Sequence, residues 1–300
     1  MDDPLAASRR LDVDGDDAVD VLLPTHARPH TIAYSIAAVL AQTHARLTLH
    51  VVGDGCDDAT AEVVASVGDP RLRFHRFAKA RGFGYANRNR VLRASSAPFV
   101  AYANDDDLWF PDHLERGLAA LRAQPHDAVA FRSVHVQPPD RFDAYFFAFD
   151  WPLGRAGAFL RHWFLGAGTL VHRRRVFDRV GYWNDALVRF GDREFFNRAR
   201  RAGLAMAVRD EVTVLRFYAQ HWDGHYAAGV APPQARYAPR VADPDWRAAV
   251  RRAAAPGRRS LAVRQHQAAD FARFALRSGP KFARFWYERW RSHAALQRSD

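Results

Sequence analysis

Between Phe99 and Trp109 the chain reads FVAYANDDDLW, an apolar run that stops at Asn104 and meets three consecutive carboxylates, Asp105, Asp106 and Asp107. Pro111 follows, and Asp112 to Leu121 has helical spacing with Asp112 and Glu115 in its first turn. A buried strand ending in an acidic cluster sets negative charge at the carboxyl edge of a sheet, where open α/β folds bind ligands. Three adjacent carboxylates repel one another, and an oxygen-only set suits Mg2+ or Mn2+ shared with substrate phosphates. A polar turn with helix-capping aspartates would carry the same residues. The flanking elements weigh between the two.

Val19 to Pro24 predicts a short buried strand, followed by the polar turn Thr25 to His30. Ile32, Ile36, Val39 and Leu40 give Thr31 to Gln42 a helical period. Leu47 to Val52 is a second strand, leading into Gly53-Asp54-Gly55-Cys56-Asp57-Asp58. A helix over Ala59–Val67, a strand over Leu72–Phe77 and a helix over Tyr85–Ala94 precede the strand into the acidic cluster. This alternation predicts a parallel, doubly wound α/β sheet. Strands ending in Thr25, Asp54 and Asp105/Asp106 would gather polar groups along one edge, a pattern that suggests a nucleotide site.

Other classes are disfavoured by what the sequence carries. Gly82-Phe83-Gly84 lacks the third glycine of a dinucleotide fingerprint, and no GxxxxGK[ST] phosphate loop occurs. The single cysteine, Cys56, excludes an intrachain disulfide framework and fits a reducing cytosol. No uninterrupted apolar run approaches the ~20 residues that span a bilayer. The formal net charge of +11, carried mostly by arginine, permits nucleic-acid, anionic-lipid or phosphorylated partners and selects none. Zinc-finger spacing, aromatic RNA-binding motifs and a basic zipper are absent, which weighs against a nucleic-acid-binding protein.

Several ordered motifs carry a family likeness: PTHAR at 24–28, VVGDGCDD at 51–58, ANRNRVL at 86–92 and YANDDDLWFPDHL at 102–114. GYWND at 181–185 and FGDREFFNR at 190–198 continue it. Over roughly Val19 to Tyr218 the chain resembles a family 2 inverting glycosyltransferase of GT-A fold, with the nearest likeness to the spore-coat polysaccharide biosynthesis branch. The resemblance implies a Rossmann-like, mostly parallel central sheet. It marks a catalytic domain over 19–218, while the acidic, polar composition of 1–18 predicts a mobile tail and the spacing over 219–300 a mainly helical extension. Within the domain, 19–110 would bind the nucleotide-sugar donor and 111–218 the acceptor.

Carried over by motif, Pro24, Thr25 and Arg28 stand beside the nucleotide. Asp54 matches the second aspartate of a strand-end D-D-G-S motif that contacts the base, with Gly53 and Cys56 replacing the first aspartate and the serine. Arg88 matches an arginine near the diphosphate, although a solvated helix face would explain it too. Asp105 would face the ribose, Asp106 would hold Mn2+ or Mg2+, and Asp107 would support the turn. Asp192 matches the aspartate of the family's E-D motif, the general base for the acceptor hydroxyl, with Gly191 in place of the glutamate and Glu194 as the fallback. The alternative for Asp192 is a carboxylate stabilised at a helix N-terminus. His221 stands where relatives carry a histidine that contacts metal or diphosphate, and His225 is four residues on.

Farther along, Ala128–Val136 and Val212–Phe217 predict strands, and the aromatic stretch Phe142–Trp151 fits core better than a sugar platform. Helices are expected over Trp246–Ala254, Ser260–Arg277 and after Pro280. The last places Phe282, Phe285, Trp286 and Trp290 on one face, suited to packing on its own domain or a second subunit, or to an anionic membrane. The resemblance as a whole implies a cytoplasmic, metal-dependent transferase. It would move a sugar from a UDP- or dTDP-sugar to a saccharide, lipid-linked or natural-product acceptor. A sugar nucleotidyltransferase is the alternative on this fold, but PTHARPH is not the Gly-rich, Arg/Lys-bearing loop that class requires.

Overall fold

Strand β1 (Val19–Thr25) is buried on both faces: Val19, Val21 and Leu23 join one layer of apolar side chains and Leu22 joins the other. Such a continuous apolar run is what a parallel strand covered on both sides requires. The computed structural model describes residues 17–137, 141–143, 166–189, 191–217 and 231–254. Strands β2 (Leu47–Asp54), β3 (Leu72–Phe77) and β4 (Phe99–Tyr102) complete a parallel half-sheet, with β2 and β4 flanking β1 and β3 outside β2. The chain winds outward from β1 to β3 and then returns to the other side of β1. That reversal makes a topological switch point at the carboxyl ends of β1 and β4. Thr25, Asp54 and Asp105 thus end or follow three neighbouring strands, although β3 intervenes in sequence.

Beyond β4 the sheet is mixed. It adds β5 (Leu108–Trp109), β6 (Ala128–Gln137), β7 (Arg141–Asp143), β8 (Leu170–Arg173) and β9 (Met206–Arg216) in the overall order β3-β2-β1-β4-β8-β6-β9-β5, with β7 on β6. Only β6 and β9 pair in parallel here; β8, β5 and β7 run antiparallel to their neighbours. The expected mostly parallel sheet therefore describes the first half, and antiparallel insertions shape the second. Strand β9 begins at Met206, six residues before the predicted Val212. Its register on β6 jumps from Ala130↔Val208 to Arg132↔Val212, so Arg209, Asp210 and Glu211 form a bulge whose charges hid the first half of the strand.

Helices α1 (Ile32–Leu40), α2 (Asp58–Ala65), α3 (Tyr85–Ala94) and α4 (His113–Ala123) lie within one or two residues of the predicted spans. Asp57 caps α2 by accepting the Thr60 N–H at 2.9 Å. Asp112 precedes α4 but makes no side-chain cap, because its carboxylate pairs with Arg116 and Arg251 at 2.6 Å each. Helices α1, α2 and α4 cover one face of the sheet through residues such as Ile36, Val64 and Leu118. Helix α3, with α5 (Val176–Val180) and α6 (Gly191–Arg201), covers the other through Leu92, Phe177, Phe195 and Phe196.

A third apolar cluster holds α7 (Pro233–Ala242) and α8 (Pro244–Ala254) against β5, β6 and β9: Tyr237, Val241 and Ala254 meet Leu108, Phe110, Val134 and Leu215. Burial of each larger apolar side chain there is worth about 1.5–3 kcal/mol. The described residues all fall within the first of the chain's two units, Met1–Pro256. The predicted helices over 260–277 and after Pro280, most of the aromatic stretch 142–151, and His221 and His225 lie outside the described residues. Among those described, no helix is long and apolar enough to cross a membrane.

Candidate active site

The acidic turn after β4 is held by its backbone, which leaves carboxylates facing a cleft. The Asp105 carbonyl accepts from the Thr31 hydroxyl (2.8 Å), that of Asp106 from the Gln234 amide (2.7 Å), and that of Asp107 from the Ser35 hydroxyl (2.9 Å). The Asp107 carboxylate is buried and committed: it accepts from Asn104 Nδ2 (2.6 Å) and the Phe217 N–H (3.1 Å) and pairs with Arg216 at 3.3 Å. Asp107 is thus an anchor between the turn and the end of β9. Asp105 and Asp106 are only half-buried and line a cleft of about 650 Å3 at the switch point. Pro24, Thr25, Arg28, Asp54 and Arg88 line the same cleft.

At one end of the cleft Asp54 is a hub. Its carboxylate accepts from Lys79 Nζ (2.6 Å), the Ala80 N–H (2.8 Å) and Asn87 Nδ2 (2.7 Å), tying the segment between β3 and α3 to β2. Lys79 also donates to the carbonyls of Ala80 and Gly82, each at 2.7 Å. Three acceptors packed around one nitrogen suit the compact ammonium group, whereas the flat guanidinium fork does not converge this way. A Cβ on Gly84, whose φ is +73°, would stand 2.6 Å from the Asp54 carboxylate, so close approach and left-handed backbone both demand glycine. At Gly53 the space is tight but less binding: a Cβ there would lie 2.9 Å from Cys56 Sγ and 3.1 Å from the Phe74 ring, both side-chain atoms. Burial pushes the Cys56 thiol up to about 11, so it remains protonated and is no nucleophile at neutral pH.

At the other side Asp192 opens α6, where its carboxylate accepts the Arg193 N–H at 2.9 Å. It is not among the residues lining the cleft, but its charge acts on Arg88 and Tyr85. Arg88 stacks over the Tyr85 ring at 5.0 Å, donates to the Phe83 carbonyl at 2.8 Å, and keeps a buried Nε without a hydrogen-bond partner. Tyr85 accepts the Gly191 N–H at 2.8 Å, and a Cβ on Gly191 would stand 2.5 Å from its ring. The tyrosine occupies the space that a larger residue before Asp192 would need. Asn89 grips the Trp183 backbone twice, through its N–H (3.1 Å) and its carbonyl (2.7 Å), and so fixes the segment leading to α6.

Burial is the main force on the acidic turn. It raises all three aspartates above the usual carboxylate range, most strongly Asp106, where Asp107 and Asp105 add repulsion. Arg28 and the Thr25 hydroxyl counter the shift at Asp105, and Arg216 counters it at Asp107. A hard divalent cation would relieve this crowding, and the oxygen donors and the neutral donor at the Asp106 carbonyl fit one. Among the described residues no three His, Cys, Asp or Glu converge on a metal position. The protein's share would be Asp106 with Asp105, leaving other positions to phosphate oxygens and water.

Seven of the sequence-predicted residues therefore meet in one cleft, Asp192 stands beside Arg88, and His221 lies outside the described residues. Lys79, Tyr85 and Gln234 were missed. Lys79 had a compositional signal: it and Lys281 are the only lysines among 44 basic residues. A chain that uses arginine almost everywhere else retains lysine where three acceptors converge. Tyr85 and Gln234 act across long sequence separations and had no local signal.

Residues 20–186, more than half of the chain, match the description of glycosyl transferase family 2. WfgD of Escherichia coli, a UDP-Glc:alpha-D-GlcNAc-diphosphoundecaprenol beta-1,3-glucosyltransferase, is 33% identical over 103 residues, 34% of this chain and 40% of WfgD. The succinoglycan biosynthesis protein ExoO of Rhizobium meliloti is 37% identical over 86 residues, 29% of this chain and 24% of ExoO. The chain thus spans less than half the length of these relatives. S. aureus TarS, crystallised with UDP-GlcNAc, superposes with a TM-score of 0.57 over 75% of this chain and 70% of its own, at 15% identity. The mannosyltransferase PcManGT from Pyrobaculum calidifontis, in complex with GDP-Man and Mn2+, gives 0.50 over 90% and 86% at 19% identity. At such identities the likeness concerns the fold, which is of the GT-A type. With more than half its length matched, the chain belongs to glycosyl transferase family 2.

Proposed function

We propose that this chain is a metal-dependent, inverting hexosyltransferase that moves a sugar from a nucleoside-diphosphate sugar, UDP- or dTDP-linked, to an acceptor hydroxyl. The observation that carries this reading is the meeting of Thr25, Asp54, Asp105 and Asp106 with Arg28 and Arg88 in one switch-point cleft. The base would lie at the Asp54–Lys79 end, the ribose near Asp105, and the diphosphate between Asp106 and Arg88, with His221 as a further contact. Mn2+ or Mg2+ held by Asp106 would neutralise the charge that develops on the departing nucleoside diphosphate. Asp192 takes the acceptor hydroxyl proton as that oxygen attacks the anomeric carbon and the bond to the diphosphate breaks. A base on the side opposite the leaving group gives single displacement and inversion.

The activity of WfgD supports a lipid-linked saccharide among the candidate acceptors, alongside free saccharides and natural-product hydroxyls. The Gly191-Asp192 form supports a place near the spore-coat polysaccharide biosynthesis branch. The test is calorimetric binding of UDP, dTDP, GDP and CDP, each with and without Mn2+, to the wild type and to Asp106→Ala. Mn2+-dependent binding of one nucleotide, lost in the variant, is expected. A folded wild type that binds none of the four overturns the proposal.

A further inference from the structure

We infer that Gln234 is a positioning residue of the nucleotide site, so that helix α7, outside the family-matched residues 20–186, completes that site. The inference rests on the function proposed above. The three carbonyls of the acidic turn are pinned by three side chains, two from α1 (Ser35 within it and Thr31 at its N-cap) and one from α7. Helix α1 lies within the matched region; α7 does not. Gln234 is 0% exposed, and its amide donates to the carbonyl of Asp106, the residue whose carboxylate faces the cleft.

The chemistry of the donor matters as well as its position. Arg216 pairs with Asp107, Arg28 counters the shift at Asp105, and both arginines act on Asp106 less than the repulsion from its acidic neighbours does. Asp106 has Asp107 and Asp105 as its strongest charged neighbours, and Gln234 fixes its peptide with a neutral group. A lysine or arginine in that place would fix the peptide but neutralise the carboxylate. Glutamine orients Asp106 and leaves its charge to the ligand. Helix α7 can carry this role because Tyr237 and Val241 seat it on β5 and β9, independently of the amide.

The experiment compares Mn2+-dependent binding of UDP, dTDP, GDP and CDP, by calorimetry, in the full chain, Gln234→Met and Val241→Ala, with a melting curve for each. Gln234→Met keeps the volume and removes the donor. It should lower the Mn2+-dependent gain in nucleotide affinity about tenfold while Mn2+-free affinity stays near wild type, and the Asp106 carbonyl left without its donor should lower the melting temperature by a few degrees. Val241→Ala loosens the same helix without touching Asp106, and should lower the melting temperature while the Mn2+ gain is kept. If Gln234→Met fails to fold, Gln234→Asn, one methylene shorter, carries the same expectation at smaller size. An unchanged Mn2+ gain in a folded Gln234 variant overturns the inference alone. A wild type without Mn2+-dependent binding of any of the four nucleotides overturns the proposed function and this inference together.

Discussion

The half of the molecule from β1 to β4 and the half from β5 to α7 deliver residues to the same cleft by different means. In the first, parallel register does the placing: Thr25 pairs with Gly53 and Leu22 with Tyr102, so polar residues just beyond those strands emerge side by side. In the second, single hydrogen bonds between distant residues do it, such as Tyr85 to Gly191, Asn89 to Trp183, Asp107 to Phe217 and Gln234 to Asp106. A wall made by register is redundant, because many ladder bonds set each position. A wall made by pairs can be undone one pair at a time.

The largest separation of the two halves is expected from Asp192→Asn. It should lower sugar transfer by about 10^2–10^4-fold while nucleotide affinity stays unchanged, and near-wild-type turnover would remove Asp192 from the base role. Acid should come next, and should act first along the seam. The buried rings of His113 and His172 are pulled down to about 3 and about 4. Below about pH 6.5 the unfolded chain gains protons that these rings refuse, so stability falls as pH drops from there towards 4, by up to about 3 kcal/mol per ring. His75 shifts the same way but is half-exposed, while Asp20, paired with His50 and Arg174, is lowered and loses its contribution only below the ordinary carboxylate range. Hydrogen exchange at pH 5 should therefore show β8 and α4 opening before β1 and β2; the reverse order would contradict this.

Lys79→Arg tests the first half with a smaller change. Nucleotide affinity should fall about tenfold with little loss of melting temperature, because the guanidinium cannot meet Asp54 and two carbonyls from one point. Affinity equal to wild type would mean that any cation serves at that end. The smallest effect is expected from Tyr85→Phe, which removes the acceptor of the Gly191 N–H but keeps the ring. Turnover should fall a few-fold with donor affinity constant, and a change in affinity alone would place Tyr85 on the wrong wall.

The same contrast governs what could be read from the sequence. The strand β3 and the helix α3 coincide with their predicted spans, and β1, β2 and β4 were legible because each is a short apolar run closed by polar punctuation. Asp54 and Asp105 were placed by that punctuation. Strand β5 was not legible, since two residues pairing with Leu215 and Val214 leave no periodic trace. The start of β9 was hidden by the bulge carrying Arg209, Asp210 and Glu211, where Asp210 pairs with the buried Arg132. Gln234 reads as an ordinary residue near a helix start, and its partner lies 128 positions away. Contacts of that kind belong to tertiary structure, and local pattern carries no record of them.

The ring of Tyr85 stands where a side chain at position 191 would go. These two positions, 106 residues apart, therefore form one heritable unit. An acid could stand beside Asp192 only after the tyrosine had given way to something smaller, so the order of the two substitutions is set by sterics. Reconstructed ancestors carrying glutamate and tyrosine together at these sites would be expected to fold poorly.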